Sequence, residues 1–143
     1  MEIVDEKLID LNSHGVVALI KNQDKFLLIK ESRDLLNGHF GPPHGRVNEG
    51  EIDEVTALVR EVKEEVGLNV TPIKKLLTVP ADTKVKTVSF WLVEVSGKME
   101  VSIDPNEASE YGWYTPEEAL KLTLYPGTKM FFEMVVSGKI ILS

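Results

Sequence analysis

Apolar residues come in short runs along this chain, and the runs have two different periods. Ser13-His14-Gly15-Val16-Val17-Ala18-Leu19-Ile20 and Lys25-Phe26-Leu27-Leu28-Ile29-Lys30 have strand length and are joined by Asn22-Gln23-Asp24. This predicts a β-hairpin with both strands buried on both faces. From about residue 53 to 66 the period changes: Val55, Leu58, Val59, Val62 and Val66 recur at helical spacing, and Gly67 stands where a left-handed residue would end the helix. Strands are expected at 71–78, 85–95 and 110–114, with a short edge at 101–103. Thr115-Pro116-Glu117-Glu118 combines an N-cap threonine, proline at N1 and glutamate at N3, so a helix begins at Pro116. A last helix is expected from about 128 to 136, stopped by Ser137-Gly138. Between hairpin and first helix, residues 36–45 are too rich in glycine and proline to be helical. Such a loop is where a ligand would lie.

Composition narrows the class. A chain of 143 residues is of single-domain size, so one domain over 1–143 is expected, able to bury roughly two thirds of its unfolded surface. With 23 acidic and 16 basic residues the net charge is −7, the wrong sign for gripping nucleic acid by charge. A polyanionic substrate would need metal ions to bridge it. No stretch approaches the ~20 apolar residues that cross a bilayer, and Met1-Glu2-Ile3-Val4-Asp5-Glu6 lacks the basic start of a signal peptide. A cytoplasmic protein with no membrane partner is expected, either monomer or homodimer. The absence of cysteine removes disulfides, thiolate metal sites and cysteine nucleophiles together.

The chemistry concentrates in Arg60-Glu61-Val62-Lys63-Glu64-Glu65-Val66-Gly67-Leu68. On a helix Glu61, Glu64 and Glu65 stand at i, i+3 and i+4, on one face and within about 5–6 Å of one another. Like charges at this spacing cost about 0.2–0.5 kcal/mol per pair. A hard divalent cation with oxygen ligands would relieve them. The plainer alternative is a solvated acidic face.

Upstream, Gly45-Arg46-Val47-Asn48-Glu49-Gly50-Glu51 completes a longer pattern. Together the two segments resemble the Nudix box, G-x5-E-x7-R-E-U-x-E-E-x-G-U with U aliphatic, filled here by Gly45, Glu51, Arg60, Glu61, Val62, Glu64, Glu65, Gly67 and Leu68. The spacer departs from the pattern: eight residues separate Glu51 from Arg60 where the family usually has seven. The extra residue is expected at the helix entrance or as a bulge in its first turn. The resemblance implies an α+β Nudix fold, an α/β/α sandwich around a central mixed sheet, and hydrolysis of a phosphoanhydride with Mg²⁺ or Mn²⁺. It implies Glu61 and Glu65 as the main metal ligands and Glu64 as ligand or base. It further implies an ion pair of Arg60 with Glu51 that orients the carboxylates, and the Gly45 carbonyl at the metal. Glu107, in a loop outside the box, is a candidate fourth carboxylate. The isomerases that share this fold rely on a catalytic cysteine, which this chain lacks.

Beyond the box, Gly41-Pro42-Pro43-His44-Gly45-Arg46-Val47 and Lys86-Thr87-Val88-Ser89-Phe90-Trp91-Leu92 resemble segments of asymmetrical diadenosine tetraphosphate hydrolases. His44 replaces a lysine of that subfamily, and His44 or Arg46 is expected to contact phosphate. Phe40, Phe90, Trp91 and Tyr125 are candidates for stacking on a base; His14 reads as a structural strand residue, and His39 stays open. The expected substrate is a small nucleotide, a dinucleoside polyphosphate or nucleoside triphosphate. An ADP-ribose or nucleotide-sugar pyrophosphatase, and a non-catalytic nucleotide-binding module, are the alternatives.

Overall fold

The hairpin forms as its apolar runs require: β1 (His14–Asn22) turns into β2 (Lys25–Glu31) through Gln23, which takes a left-handed φ of 60°. The structure is a computed structural model describing residues 3–32, 38–81 and 84–142; Leu36 and Asn37 of the expected loop lie outside them. β1 and β2 pair only beside the turn, at Lys21 with Phe26 and Asn22 with Lys25. Beyond that they splay apart. β3 (Phe40–Gly41) and β7 (Ala108–Tyr114) join β2, while β4 (His44–Arg46) joins the start of β1. The segment between Phe40 and Arg46 therefore crosses from one half of the sheet to the other. Its Pro43 carbonyl accepts from the Ala18 amide at 2.9 Å.

β6 (Thr87–Val95) lies parallel to β1, and β5 (Val70–Pro80) lies antiparallel to β6. Seven strands thus make a mixed sheet, with main order β3-β2-β1-β6-β5. α1 (Glu54–Val66) buries Ala57, Leu58, Val62 and Val66 against Val16, Ala18, Ile20 and Val93 on one face. Each large side chain so buried contributes about 1.5–3 kcal/mol. α2 (Pro116–Ala119) and α3 (Pro126–Val136) cover the other face, where Phe131 and Phe132 meet Leu19, Phe26 and Phe90. The expected α/β/α sandwich is present. No helix among the described residues is long and apolar enough to cross a membrane.

α1 starts at an Asp53 N-cap whose side chain accepts from the Thr56 amide, and ends at Gly67 with φ 72°. It runs as unbroken α-helix, so the extra spacer residue is taken up before Glu54 and not as a bulge. α2 shows the full capping box between Thr115 and Glu118 but lasts a single turn. Three expectations need correction. Val55 is 39% exposed, because the helix turns Glu54 inward in its place. Residues 101–103 form no strand: the Ser102 amide bonds the Val66 carbonyl, and Val101 and Ile103 pack on the core as a loop. α3 begins at Pro126, two residues earlier than expected, since proline suits its first turn.

Candidate active site

Arg60 organises the acidic helix. Its Nε and Nη2 donate to the two oxygens of Glu51 at 2.9 Å each, a bidentate pair. Nη2 also bonds the Arg46 carbonyl at 3.0 Å. Nη1 donates to Glu61 at 2.7 Å and to Glu64 at 3.3 Å. Glu51 accepts the Asn48 amide as well, at 2.7 Å, so one guanidinium ties the loop before α1 to the middle of the helix. The pair expected across the eight-residue spacer forms despite the insertion. Bonding to Arg60 lowers the proton affinity of Glu51, and the two carboxylates raise that of Arg60, with Glu51 the larger contributor.

Glu61 and Gly45 touch. A Cβ built on Gly45 would overlap the Glu61 carboxyl group, so only glycine lets β4 approach this closely. The Glu61 side chain is 15% exposed, against 58% for Glu64. Burial pushes Glu61 above the usual carboxylate range, while Arg60 pulls the other way. Glu65, one turn on, accepts the His44 amide at 2.7 Å. The solvated-face alternative therefore describes Glu64 and fails for Glu61 and Glu65.

The three carboxylates do not meet as one cluster: among the described residues no three acidic or imidazole groups are gathered into a metal-holding set. Arg60 stands between Glu61 and Glu64 and offsets their repulsion. The donor chemistry still fits a hard divalent ion, since Glu61, Glu65 and the backbone at Gly45 present oxygens along one face of α1. Glu107 lies exposed in the turn before β7, its carbonyl accepting the Ser32 amide at 3.0 Å.

The loop residues divide. His44 is half-buried; its Nδ1 donates to the Pro42 carbonyl at 2.9 Å, and its ring stands edge-on to Tyr125 at 5.4 Å. His39 lies on Tyr125 at 5.8 Å, and a side chain at Gly41 would strike the Tyr125 ring. The Tyr125 hydroxyl donates to the buried Glu31 at 3.3 Å. Arg46 is exposed and reaches the Asn12 carbonyl at 3.3 Å, beside a 370 Å³ groove with Asn48 and Glu49. Phe40 is a correction: only 7% exposed, it packs edge-on against Tyr114 in the α3-side core and has no face for a base. Phe90 stacks on Phe131 in the same core. Trp91 is half-buried on β6. Its indole N–H donates to Glu54 at 3.2 Å, and it lines a 520 Å³ groove at the start of α1 with Ile52, Val55 and Lys75.

Sequence reasoning passed over Glu54 and Glu31. Each is an acidic residue at a segment end, where a solvated carboxylate is the ordinary expectation, and their distant partners lie 21 to 94 residues away.

Acidic side chains aligned by one arginine on a helix, beside a glycine loop crossing a mixed sandwich, define a hydrolase of phosphoanhydrides. A family model described as the NUDIX domain matches residues 12–135, and the chain belongs to that family. The mouse asymmetrical bis(5'-nucleosyl)-tetraphosphatase is 33% identical over 129 residues, covering 85% of each chain. An ADP-ribose pyrophosphatase from Methanocaldococcus jannaschii is 35% identical over 113 residues, 73% of this chain and 66% of that one. Among solved structures, a MutT protein from Methanosarcina mazei superposes with a TM-score of 0.72 at 28% identity, covering 88% and 94%. The chain is an enzyme, a Nudix pyrophosphohydrolase, of a family that uses divalent metal ions and acts on small nucleotides.

Proposed function

We propose that this protein hydrolyses dinucleoside polyphosphates, cleaving an anhydride bond with Mg²⁺ or Mn²⁺, the whole chain acting as one domain. The observation that carries the reading is the contact of Glu61 with Gly45, beside Glu65 on the His44 amide. It puts two half-buried carboxylates against the loop that would carry the substrate. Glu61, Glu65 and the Gly45 carbonyl would hold the ion, with Glu64 as the exposed third carboxylate. A bound Mg²⁺ or Mn²⁺ supplies charge neutralisation on the phosphoryl oxygens and makes water more acidic.

The chain's own residues do the rest. Arg60, locked on Glu51, holds Glu61 and Glu64 in orientation. Glu64, the most solvated of the three, takes the proton from the attacking water. His44 and Arg46 flank this face and bind the polyphosphate, while Tyr125 between His39 and His44 carries a base. Dinucleoside polyphosphates are preferred over nucleotide sugars because the Pro42 to Val47 loop follows the tetraphosphatase pattern, and the mouse relative over 85% of both chains carries that name. Glu107, exposed in the turn before β7, stays the candidate fourth carboxylate.

Nucleoside triphosphates, diadenosine tetraphosphate, ADP-ribose and nucleotide sugars are offered with Mg²⁺ and the products separated by chromatography. Unequal cleavage of diadenosine tetraphosphate to ATP and AMP is expected to dominate; preferential cleavage of ADP-ribose would replace this reading. Turnover is expected to vanish in excess chelator and to return with Mg²⁺ or Mn²⁺. Full activity after rigorous chelation would end the metal role.

A further inference from the structure

Away from Glu61, the first turn of α1 carries a buried polar network that the reaction does not use. Glu54 is 8% exposed and accepts four donors from three strands. His14 Nε2 and Ser89 Oγ reach one oxygen at 2.7 Å each. Lys75 Nζ at 2.7 Å and Trp91 Nε1 at 3.2 Å reach the other. An ionised carboxylate only accepts, so Nε2 of His14 carries a proton, and the single hydroxyl proton of Ser89 is committed to Glu54. Thr78 therefore donates to Ser89, at 2.6 Å, and His14 Nδ1 meets Thr87 at 2.6 Å. The chain of bonds runs without a gap from β6 through β1 to the helix and back to β5.

Desolvating such groups is costly, and an apolar side chain at 54 would fill the space with less penalty. What the network adds is direction, since each bond fixes an angle that apolar contact leaves loose. The direction matters because of where Glu54 stands. Glu61 and Glu65 follow it by seven and eleven residues, and at 3.6 residues per turn all three fall within roughly 20° of one line along the helix. Fixing the azimuth of Glu54 fixes that of both metal-facing carboxylates. A rotation of about 15° would carry a side-chain tip on a helix of about 5–6 Å radius by about 1.5 Å, and about 1 Å of misplacement can cost about 10²-fold in rate.

We propose that Glu54, held by His14, Ser89 and Lys75, is a positioning residue that sets the rotation of α1 and so aims Glu61 and Glu65. This rests on the reading that α1 carries the metal. It also accounts for the tolerated spacer, because the helix takes its reference from the sheet and not from the length of the loop before it.

Steady-state kinetics on diadenosine tetraphosphate and Mn²⁺ titration of the full chain test it, with Glu61→Gln as control. Glu54→Gln, which turns an amide toward a donor, is expected to lower kcat about ten- to hundredfold with KM within twofold, and to weaken Mn²⁺ binding by about tenfold or more. Lys75→Met should lower kcat several-fold, and Lys75→Arg, restoring a cation to Glu54, should recover it to within twofold. A fold lesion without positioning would not give that rescue. A folded Glu54→Gln protein with parental kcat and Mn²⁺ affinity, while Glu61→Gln is dead, overturns the proposal alone. If Glu54→Gln does not fold, equal kcat in the two Lys75 variants overturns it. Full activity in Glu61→Gln removes the catalytic reading of α1 and this proposal with it.

Discussion

Gly45 and Glu61 cannot change independently, because the room for one side chain is made by the absence of the other. Gly45→Ala forces the loop back or swings Glu61 aside, and overpacking of this kind costs about 1–3 kcal/mol. Glu61→Gln acts differently. Burial already opposes its charge in the metal-free protein, so the amide should leave thermal stability without metal equal or higher while removing a metal ligand. Both variants are expected to lose kcat, about 10²-fold for Glu61→Gln, with Tm lowered by Gly45→Ala and unchanged or raised by Glu61→Gln. Kinetics with calorimetry on the metal-free proteins checks this; Tm falling equally in both would mean Glu61 contributes net stability through Arg60. At this scale the Nudix pattern made Arg60, Glu61 and Glu65 legible. Phe40 was misjudged because an aromatic residue at strand spacing does not reveal which face is core.

α1 is the element in which reading and structure part most usefully. Its length, its cap at Gly67 and its buried Leu58, Val62 and Val66 follow from helical periodicity. Val55 fits the same period yet is exposed, because Glu54 finds His14, Ser89 and Lys75 waiting on three strands. Local pattern carries no trace of donors that distant in sequence. The observed start of the helix also decides how the spacer behaves. Ile52 is 84% exposed and precedes the Asp53 cap, so deleting it restores the family spacing without altering the phase of Glu54, Glu61 and Glu65. That deletion is expected to keep kcat within about threefold and Tm within a few degrees, since surface loop changes are usually worth no more than about 0.5 kcal/mol. Deleting Glu54 should cost both, by removing the anchor and rotating the helix start by about 100°. Loss of folding on deleting Ile52 would place the extra residue inside the structural frame of the helix.

For the molecule as a whole, the buried network predicts how the fold responds to acid. Burial alone would raise Glu54, but the bonds from His14, Lys75 and Ser89 outweigh it and bring its pKa down to about 2, from 4.5 for the free side chain. A carboxylate depressed in the folded state stabilises the fold above its unfolded pKa, and that contribution is lost as pH falls toward the folded value. The window therefore runs from about 4.5 down to about 2. The amount at neutral pH is on the order of 3 kcal/mol, each tenfold change in proton affinity being worth about 1.4 kcal/mol. Glu51, also depressed through Arg60, acts in the same direction, while the raised Glu61 acts oppositely and gains stability when protonated. Comparing the parent with Glu54→Gln isolates one carboxylate from these others. The variant is expected to melt lower at pH 7, and its deficit should shrink steadily below pH 4.5 until the two curves approach each other near pH 2. Thermal melts at pH 7, 4.5, 3 and 2 in chelator measure it. A deficit that stays constant across that range would mean that Glu54 contributes shape and not charge, and that its four donors do not bind an ionised group.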